Sequence, residues 1–173
     1  MNHQDFRAIA PYIHAHRGKC VVIMLPGEAI GANDGLLSDV ALLHALGLKI
    51  VLVHGYRPQL DAMMADAGEQ PSFHNQRRIT PASAQGQVLA AAGATRLQIE
   101  ASLSRGLPNT AMAHAKIRVI SGNFVQARPI GVLDGVDMQH TGCVRSIDTD
   151  GINRHLSAHD LVLVSCLGHS PTG

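Results

Sequence analysis

The chain has 173 residues, of which 14 are Lys or Arg and 13 are Asp or Glu, so its formal net charge is +1. A chain of this length suits a single domain, and folding would bury about two-thirds of its unfolded surface. A nearly neutral chain lacks the broad basic face through which proteins bind nucleic acid. We therefore expect a small-molecule ligand and no nucleic-acid partner.

The cysteines and the first residues of the chain indicate a compartment. The three cysteines form no CxxC pair, so the sequence predicts neither a disulfide framework nor a zinc site. The start of the chain lacks the basic and apolar regions of a signal peptide. No apolar run approaches the roughly 18 residues that a membrane span needs. We predict a cytoplasmic protein without a membrane partner.

The first part of the chain alternates helical and strand patterns, which is typical of an α/β fold. The runs at Cys20–Leu25 and Ile50–Val53 are apolar throughout, as in strands that are covered on both faces. Asp34 is a suitable N-cap for the helix between them. Apolar residues at helical spacing predict three helices, over 3–17, 35–46 and 58–67.

The second part of the chain begins with a polar stretch, 68–79, which predicts a loop or a short hairpin. Thr80 followed by Pro81 predicts the start of a helix that runs to about Leu103, with Gly93 as a candidate break. From residue 116 onward, short alternating segments separated by turn residues predict antiparallel hairpins. A third buried strand is predicted at 161–165.

Each predicted buried strand is followed by a loop that contains glycine, namely LPGEAIG, HGYRPQ and LGHSPTG. Parallel strands would bring Gly27, Gly55 and Gly168 to one edge of the sheet, where backbone N–H groups can bind an anion. The alternative is that each glycine only permits a turn. The sequence contains neither a GxGxxG fingerprint nor a GxxxxGK[ST] phosphate loop.

Arg57 and Arg78 are the basic residues nearest to this predicted edge. A guanidinium group binds a carboxylate through two parallel hydrogen bonds, so both arginines are candidate ligand-binding residues. The alternative for each is an ordinary surface arginine.

Two other features are weaker candidates. His155 and His159 are four residues apart and could share a helix face, but no third ligand is in register, so no metal site is predicted. Cys166 follows a strand without a paired His and Asp, which favours a buried, inert thiol over a nucleophile. We therefore assign no catalytic residue.

Several segments together resemble a known family: VVIMLPGEAI, DVALLHALGLKIVLVHGYRPQLD, RRITPASA, RPIGVLDGVDMQHTG and LVLVSCLGHSPTG. They resemble the amino-acid-kinase-like domain of the bacterial N-acetylglutamate synthases, over nearly the whole chain. The resemblance implies an α/β fold, a three-layer α/β/α sandwich with a mainly parallel sheet and an antiparallel hairpin insertion. It also implies that residues 1–173 are a truncated, N-terminal part of that domain.

The same resemblance implies a role in the first step of arginine biosynthesis. In that family, a separate GNAT acetyltransferase domain transfers acetyl from acetyl-CoA to L-glutamate, giving N-acetylglutamate. The kinase-like domain carries control by L-arginine and builds a homo-oligomer, in which a helix such as 1–17 would join subunits. The acetyltransferase domain is absent from this chain, so the resemblance implies no catalytic residue and no cofactor here, and an inactive isolated chain.

One departure from the related kinases concerns the first loop. Those kinases carry a K-x-G-G motif whose lysine neutralises the transferring phosphoryl group. This sequence has Met24 at the lysine position and Pro26 at the first glycine. The change favours a synthase, with an acetylglutamate kinase or a stand-alone amino-acid-sensing module as alternatives. The resemblance also matches Arg78 with the arginine that holds the carboxylate of N-acetylglutamate in the kinases.

Overall fold

A computed structural model describes residues 3–31, 34–105 and 116–171 of the chain. In these residues there are five α-helices: α1 (His3–His16), α2 (Asp34–Ala45), α3 (Arg57–Asp66), α4 (Gln85–Ser104) and α5 (Thr149–Ser157). The strands are β1 (Cys20–Leu25), β2 (Lys49–His54), β3 (Ser72–His74), β4 (Arg77–Ile79), β5 (Val119–Ser121), β6 (Val125–Pro129), β7 (Val132–Leu133), β8 (Val136–Asp137), β9 (Gly142–Ile147) and β10 (Leu161–Ser165).

The central sheet has four strands in the order β1-β2-β10-β5, and all neighbouring pairs are parallel. Its register places Leu25 beside His54 and His54 beside Ser165. The carboxyl ends of the three longer strands therefore lie level, as the sequence predicted. In a parallel sheet this is the edge where ligands bind.

Helices cover both faces of the sheet, which confirms the three-layer α/β/α fold. On one face, α2 and α4 bury aliphatic side chains of the strands, such as Ile50, Leu52 and Leu163. On the other face, α5 packs against β10 and β2 through Leu156. Burying these side chains removes apolar surface from water, which is the main favourable contribution to folding. None of the described helices is long and apolar enough to cross a membrane.

The prediction that β1 is buried on both faces is wrong. Residues 21, 23 and 25 face the core, but Val22 is 68% exposed and Met24 is 65% exposed. The reason is the position of α5, which covers β10 and β2 and leaves the outer strand uncovered on its face. A sequence pattern does not show which strands a helix will reach.

The start of α4 and its continuity differ from the prediction. Pro81 has an extended backbone, and a short 3₁₀ turn at Ala82–Ala84 precedes the α-helix. The helix then continues through Gly93 without a break. Ala92 and Thr95 on either side of it are buried. Tertiary packing of these neighbours outweighs the roughly 1 kcal/mol that a glycine costs in a helix interior.

The second part of the chain is partly as predicted. β3 and β4 form the predicted short hairpin, and β6–β9 and β7–β8 are antiparallel. However, the segment at β5 was predicted as part of a hairpin, and it pairs in parallel with β10. Helix α5 was not predicted. The sequence feature that marks the start of this helix is Asp148, an N-cap residue. Its carboxylate accepts a hydrogen bond from Gly151 N at 2.8 Å.

Candidate functional site

The first two glycine loops meet at the carboxyl edge of the sheet. Gly55 N donates a hydrogen bond to Leu25 O at 2.9 Å, which ties the end of β2 to the end of β1. A Cβ atom added to Gly55 would lie 3.2 Å from Gly27 N, and one added to Gly27 would lie 2.7 Å from Pro58 Cδ. These glycines therefore do more than permit a turn, because no larger residue fits at Gly27 without a shift of its neighbours.

Helix α3 begins at this junction, and one of its side chains forms a hydrogen bond with the first loop. Its second residue is Pro58, which suits the first turn of a helix because its missing N–H has no partner there. Gln59 donates a side-chain hydrogen bond to Gly27 O at 2.9 Å. The N-terminus of α3, with its positive end of the helix dipole, therefore lies at the loops that end β1 and β2.

The ring of Phe73 lies close to both candidate arginines. The centre of the Arg78 guanidinium is 5.0 Å from the Phe73 ring centroid, and that of Arg57 is 5.8 Å away. Both distances are within the range of a cation–π interaction. Sequence reasoning identified both arginines but missed Phe73. Its signal was a single aromatic residue within an otherwise polar hairpin, in a chain with only three phenylalanines.

Arg78 is held by its surroundings and is not an ordinary surface arginine. Its side chain is only 14% exposed, and one guanidinium nitrogen donates to the carboxylate of Asp61. The other terminal nitrogen donates to Met64 Sδ at 3.5 Å. Arg57, by contrast, is exposed, so the alternative of a surface arginine fits it. The ligand-binding role of both remains a prediction.

A threonine from the hairpin region supports the backbone around Arg78. Thr141 Oγ1 donates to Arg78 O at 2.6 Å and accepts from Thr80 N at 3.1 Å. The backbone of His140 donates to Thr80 O at 3.0 Å. These bonds fix the position of β4, which carries the arginine. Thr141 was not identified from the sequence, because its partners are about 60 residues away along the chain.

The third loop has a different neighbour. A Cβ atom on Gly168 would lie 2.7 Å from Ala127 Cβ, and Ala127 N donates to His169 O at 2.7 Å. Leu167 of the same loop packs against the cluster that contains Tyr56. Gly168 therefore attaches its loop to β6, while Gly27 and Gly55 contact each other. The structure brings the first two predicted glycines together and gives the third a separate contact.

Three titratable side chains lie at this edge, and burial shifts the pKa of each. His54 is fully buried, and burial lowers its pKa, so the ring is neutral near pH 7. Burial raises the pKa of Tyr56, with a further increase from Cys166. Cys166 is exposed as a residue, which corrects the prediction of a buried thiol, although partial burial of the group raises its pKa. A thiol with a raised pKa stays protonated and is a poor nucleophile.

A cleft of about 400 Å³ lies between α4 and the ends of β5 and β10. It borders the third loop through Leu167 and His169, and Arg96 and Ser165 also line it. Arg96 forms an ion pair with Glu100 at 3.7 Å, so its charge is already partly balanced. The cleft lies at the same edge of the sheet as the glycine loops.

The two histidines that could have shared a helix face are separated. His155 lies in α5 and pairs with Asp160 at 3.1 Å, whereas His159 lies beyond the end of the helix. The ring of His159 stacks on that of His44 with 4.3 Å between the centroids. The described residues contain no group of three or more His, Cys, Asp or Glu side chains that could hold a metal ion.

Comparison with known proteins gives a family. Residues 19–173 match the model of the amino acid kinase family. The chain is 51% identical over 169 residues to an amino-acid acetyltransferase of Ectopseudomonas mendocina, covering 96% of this chain and 39% of that protein. It is 52% identical over 169 residues to an amino-acid acetyltransferase of Ralstonia nicotianae, covering 96% of this chain and 38% of that protein.

Solved structures agree with this match. The N-acetylglutamate synthase from Neisseria gonorrhoeae, complexed with coenzyme A and L-arginine, aligns with a TM-score of 0.91 and 36% identity, covering 100% of this chain and 41% of that one. A carbamate kinase from Giardia lamblia aligns with a TM-score of 0.51 and 18% identity, covering 88% of this chain and 58% of that one, which shows the fold alone. The chain spans only about two-fifths of the length of its acetyltransferase relatives.

Proposed function

Because this chain belongs to the amino acid kinase family, we propose that it is the regulatory and assembly part of an N-acetylglutamate synthase. The full protein would transfer acetyl from acetyl-CoA to L-glutamate in the cytoplasm, in the first step of arginine biosynthesis. Residues 1–173 would form the N-terminal part of the kinase-like domain, with 1–17 as an oligomerisation helix. A GNAT acetyltransferase domain outside these residues would carry the reaction and bind acetyl-CoA.

The observation that carries this proposal is the match of about 50% identity to proteins named amino-acid acetyltransferase, over 96% of this chain. The end of β1 supports it chemically. Met24, at the position where kinases have lysine, is 65% exposed and has no charge. A thioether neither donates a hydrogen bond nor neutralises a phosphoryl group, so phosphoryl transfer loses a main electrostatic contribution.

For ligand binding, we propose that Arg78 holds the carboxylate of N-acetylglutamate or a related amino acid at the carboxyl edge of the sheet. Its guanidinium is fixed by Asp61 and Phe73, and the loops of Gly27 and Gly55 lie at the same edge. A preorganised guanidinium loses less entropy when it binds a carboxylate. Arg57 and Gly168 would contribute at the periphery. L-Arginine would act on the full protein as its regulator.

The test is an acetyl-transfer assay of the purified 173-residue chain with acetyl-CoA and L-glutamate. We expect no turnover, while a full-length relative such as the amino-acid acetyltransferase of Ectopseudomonas mendocina, assayed in parallel, is active. Turnover by the isolated chain would contradict the assignment of the chemistry to another domain.

The same preparation separates the alternatives. An acetylglutamate kinase would transfer phosphate from ATP to N-acetylglutamate in the presence of Mg²⁺, and would bind the nucleotide tightly in calorimetry. A stand-alone sensing module would bind an amino acid without any reaction, and its gene would encode no acetyltransferase domain. We expect no phosphoryl transfer, because Met24 replaces the lysine.

A further inference from the structure

The β3–β4 hairpin, which carries Phe73 and Arg78, has little support of its own. It forms a two-stranded sheet that pairs with no other strand of the described residues. None of residues 72–79 is fully buried. A two-stranded hairpin without a buried face is at most marginally stable in water. The position of this hairpin therefore depends on contacts with its neighbours.

One of these contacts lies at the tip of the hairpin. Asn75 Nδ2 donates a hydrogen bond to Asp134 Oδ2 at 2.9 Å, and Asp134 lies at the tip of the β7–β8 hairpin. His74 Nε2 lies 3.5 Å from the same carboxylate oxygen. We call these three residues the tip contact. It joins two segments of the chain that are 59 residues apart.

Both tips have the backbone of a tight turn. Asn75 and Gln76 have φ values of 47° and 63°, and Asp134 and Gly135 have φ values of 49° and 82°. Two successive residues with positive φ are typical of a type I′ turn, in which Asn, Asp and Gly are favoured. The turns therefore explain why Asn and Asp stand at these positions. They do not explain why the side chains of two separate turns meet.

The other end of the β3–β4 hairpin contacts the same region of the chain. Directly after β4, Thr80 O accepts a hydrogen bond from His140 N at 3.0 Å. Thr141 Oγ1 bonds to the backbone of Arg78 and of Thr80. Arg78 thus lies in the sequence between the tip contact and these bonds. A segment that is held at both ends has less conformational freedom, so its side chains stay closer to their partners.

We propose that Asp134 is a positioning residue for Arg78. By accepting the hydrogen bond of Asn75, its carboxylate holds the tip of the hairpin and with it β4, from which the Arg78 side chain extends. Asp61 pairs with the guanidinium itself, so the two carboxylates have different roles. Binding of a carboxylate ligand by Arg78 rests on the proposed function, whereas its positioning by Asp134 does not.

The expected effect is modest, because the side chain of Asp134 is 65% exposed and water competes for its hydrogen bonds. Loss of one such hydrogen bond corresponds to about a threefold to tenfold change in an equilibrium. The experiment must therefore compare closely matched variants.

A swap of the two side chains provides these variants. Asn75→Asp places two carboxylates against each other and should open the tip contact. Asn75→Asp combined with Asp134→Asn again places a donor opposite an acceptor. Asn and Asp both tolerate positive φ, so neither turn is strained. Gln76→Glu is the control, because Gln76 is the exposed neighbour in the same turn and the bond to Asp134 comes from Asn75.

Hydrogen exchange of the hairpin amides is the first measurement, and it needs no ligand. In peptides that cover residues 72–80, exchange should be about threefold to tenfold faster in Asn75→Asp than in the parent. It should return to the parent rate in the double variant and stay at that rate in Gln76→Glu. Circular dichroism of every variant should match the parent, because all substituted residues are exposed.

The second measurement follows Arg78 itself by nuclear magnetic resonance. Its Nε–H signal is identified as the one that Arg78→Gln removes. The guanidinium lies 5.0 Å from the Phe73 ring centroid, so the ring shifts this signal. Asn75→Asp should move the signal toward that of free arginine, and the double variant should move it back.

The third measurement is a calorimetric titration of the chain with N-acetylglutamate. Asn75→Asp should weaken binding by about threefold to tenfold. The double variant and Gln76→Glu should both bind within about twofold of the parent. Equal weakening by Gln76→Glu would mean that the added charge, and not the tip contact, affects the ligand, and would overturn the proposal for binding.

The ligand-free results decide the positioning role. Equal hydrogen exchange in Asn75→Asp and the parent would overturn the tip contact as a support of the hairpin. Faster exchange with an unchanged Arg78 signal would overturn Asp134 as a positioning residue, as would a double variant that restores neither. If the parent does not bind N-acetylglutamate, the proposed ligand is wrong, while the other two measurements still test the role of Asp134.

Discussion

The two ends of the parallel sheet differ in what their charged groups contact. At the carboxyl end, the guanidinium groups of Arg57 and Arg78 both lie close to the Phe73 ring, and the backbones of two glycine loops meet. At the amino end, Asp160 is nearly buried and pairs with Arg118 at 2.8 Å and with His155 at 3.1 Å. The buried carboxylate at the amino end is therefore balanced by side chains of the same chain.

The two arginines at the carboxyl end differ in their partners. Asp61 is the carboxylate paired with Arg78, whereas Arg57 forms no ion pair with a described residue. We propose that the carboxyl end binds an anionic ligand, and substitutions at the two ends of the sheet test this contrast.

The largest expected effect is that of Gly27→Ala on stability. The new Cβ would lie 2.7 Å from Pro58 Cδ and 2.8 Å from Gln59 Oε1, so the junction of the loops must shift. We expect the free energy of unfolding to fall by about 2 kcal/mol, as for other overpacked sites. Denaturant unfolding followed by circular dichroism measures this change.

Gly93→Ala is the matched control for that substitution. A Cβ at Gly93 meets nothing within 4 Å, and the residue lies inside α4. We expect it to raise the free energy of unfolding by up to about 1 kcal/mol, because alanine is the better helix former. Equal effects of the two substitutions would show that the loop junction is not closely packed.

The second prediction concerns the carboxylate ligand. Arg78→Gln keeps a polar side chain but removes the charge and the planar fork of donors. We expect the affinity of the chain for N-acetylglutamate, measured by isothermal titration calorimetry, to fall by at least about tenfold. Arg96→Gln, in the cleft beside α4, is the control and should leave the affinity unchanged. If only Arg96→Gln lowered the affinity, the ligand would bind in that cleft and not at Arg78.

The third prediction compares the pH dependence of one buried histidine from each end. Burial lowers the pKa of His44, and its stacked neighbour His159 lowers it further, while the hydrogen bond to the His159 backbone and the charge of Asp160 oppose this. Burial also lowers the pKa of His54, and the hydrogen bond to the Gly55 backbone opposes this. Arg96 lowers the pKa further, and Glu100 raises it. A lowered pKa in the folded state means that the unfolded chain binds the proton first as pH falls.

The chain should therefore lose stability as pH drops below about 6.5, the ordinary pKa of histidine. His44→Gln and His54→Gln should each reduce the slope of unfolding free energy against pH between 7 and 5. Urea titrations at several pH values measure that slope. If only the His54 variant changed it, the stacked histidines at the amino end would carry no proton linkage.

The sequence predicted the sheet better than its surroundings. Cys20–Leu25, Ile50–Val53 and 161–165 were recognised because an uninterrupted apolar run has few other structural solutions. The three residues of β5 were mistaken for a hairpin strand, since so short a segment looks the same in both settings. Exposure of Val22 depends on where α5 packs, and that information lies more than 120 residues away in the chain.

The residues of the candidate site also differ in how well the sequence identified them. The two arginines and the first two glycines were found because each lies close to a strand end or a recognisable motif. Phe73 and Thr141 were missed, because their roles come from contacts across the β3–β4 hairpin and from the distant β8–β9 region. Residue type and spacing identify a charged group, whereas the groups that orient it are identified only by the fold.

The smallest expected effect is that of Phe73→Leu. The ring is 45% exposed, so little apolar burial is lost, but both guanidinium groups lose the face they rest against. Exposed cation–π contacts contribute about 0.5–1 kcal/mol each, so we expect the free energy of unfolding to fall by about 1 kcal/mol. Tyr12→Leu, at a 69% exposed aromatic in α1, is the control and should change it by less than about 0.5 kcal/mol. If Phe73→Leu also weakened N-acetylglutamate binding, the ring would orient Arg78 for the ligand; unchanged binding would assign that orientation to Asp61 alone.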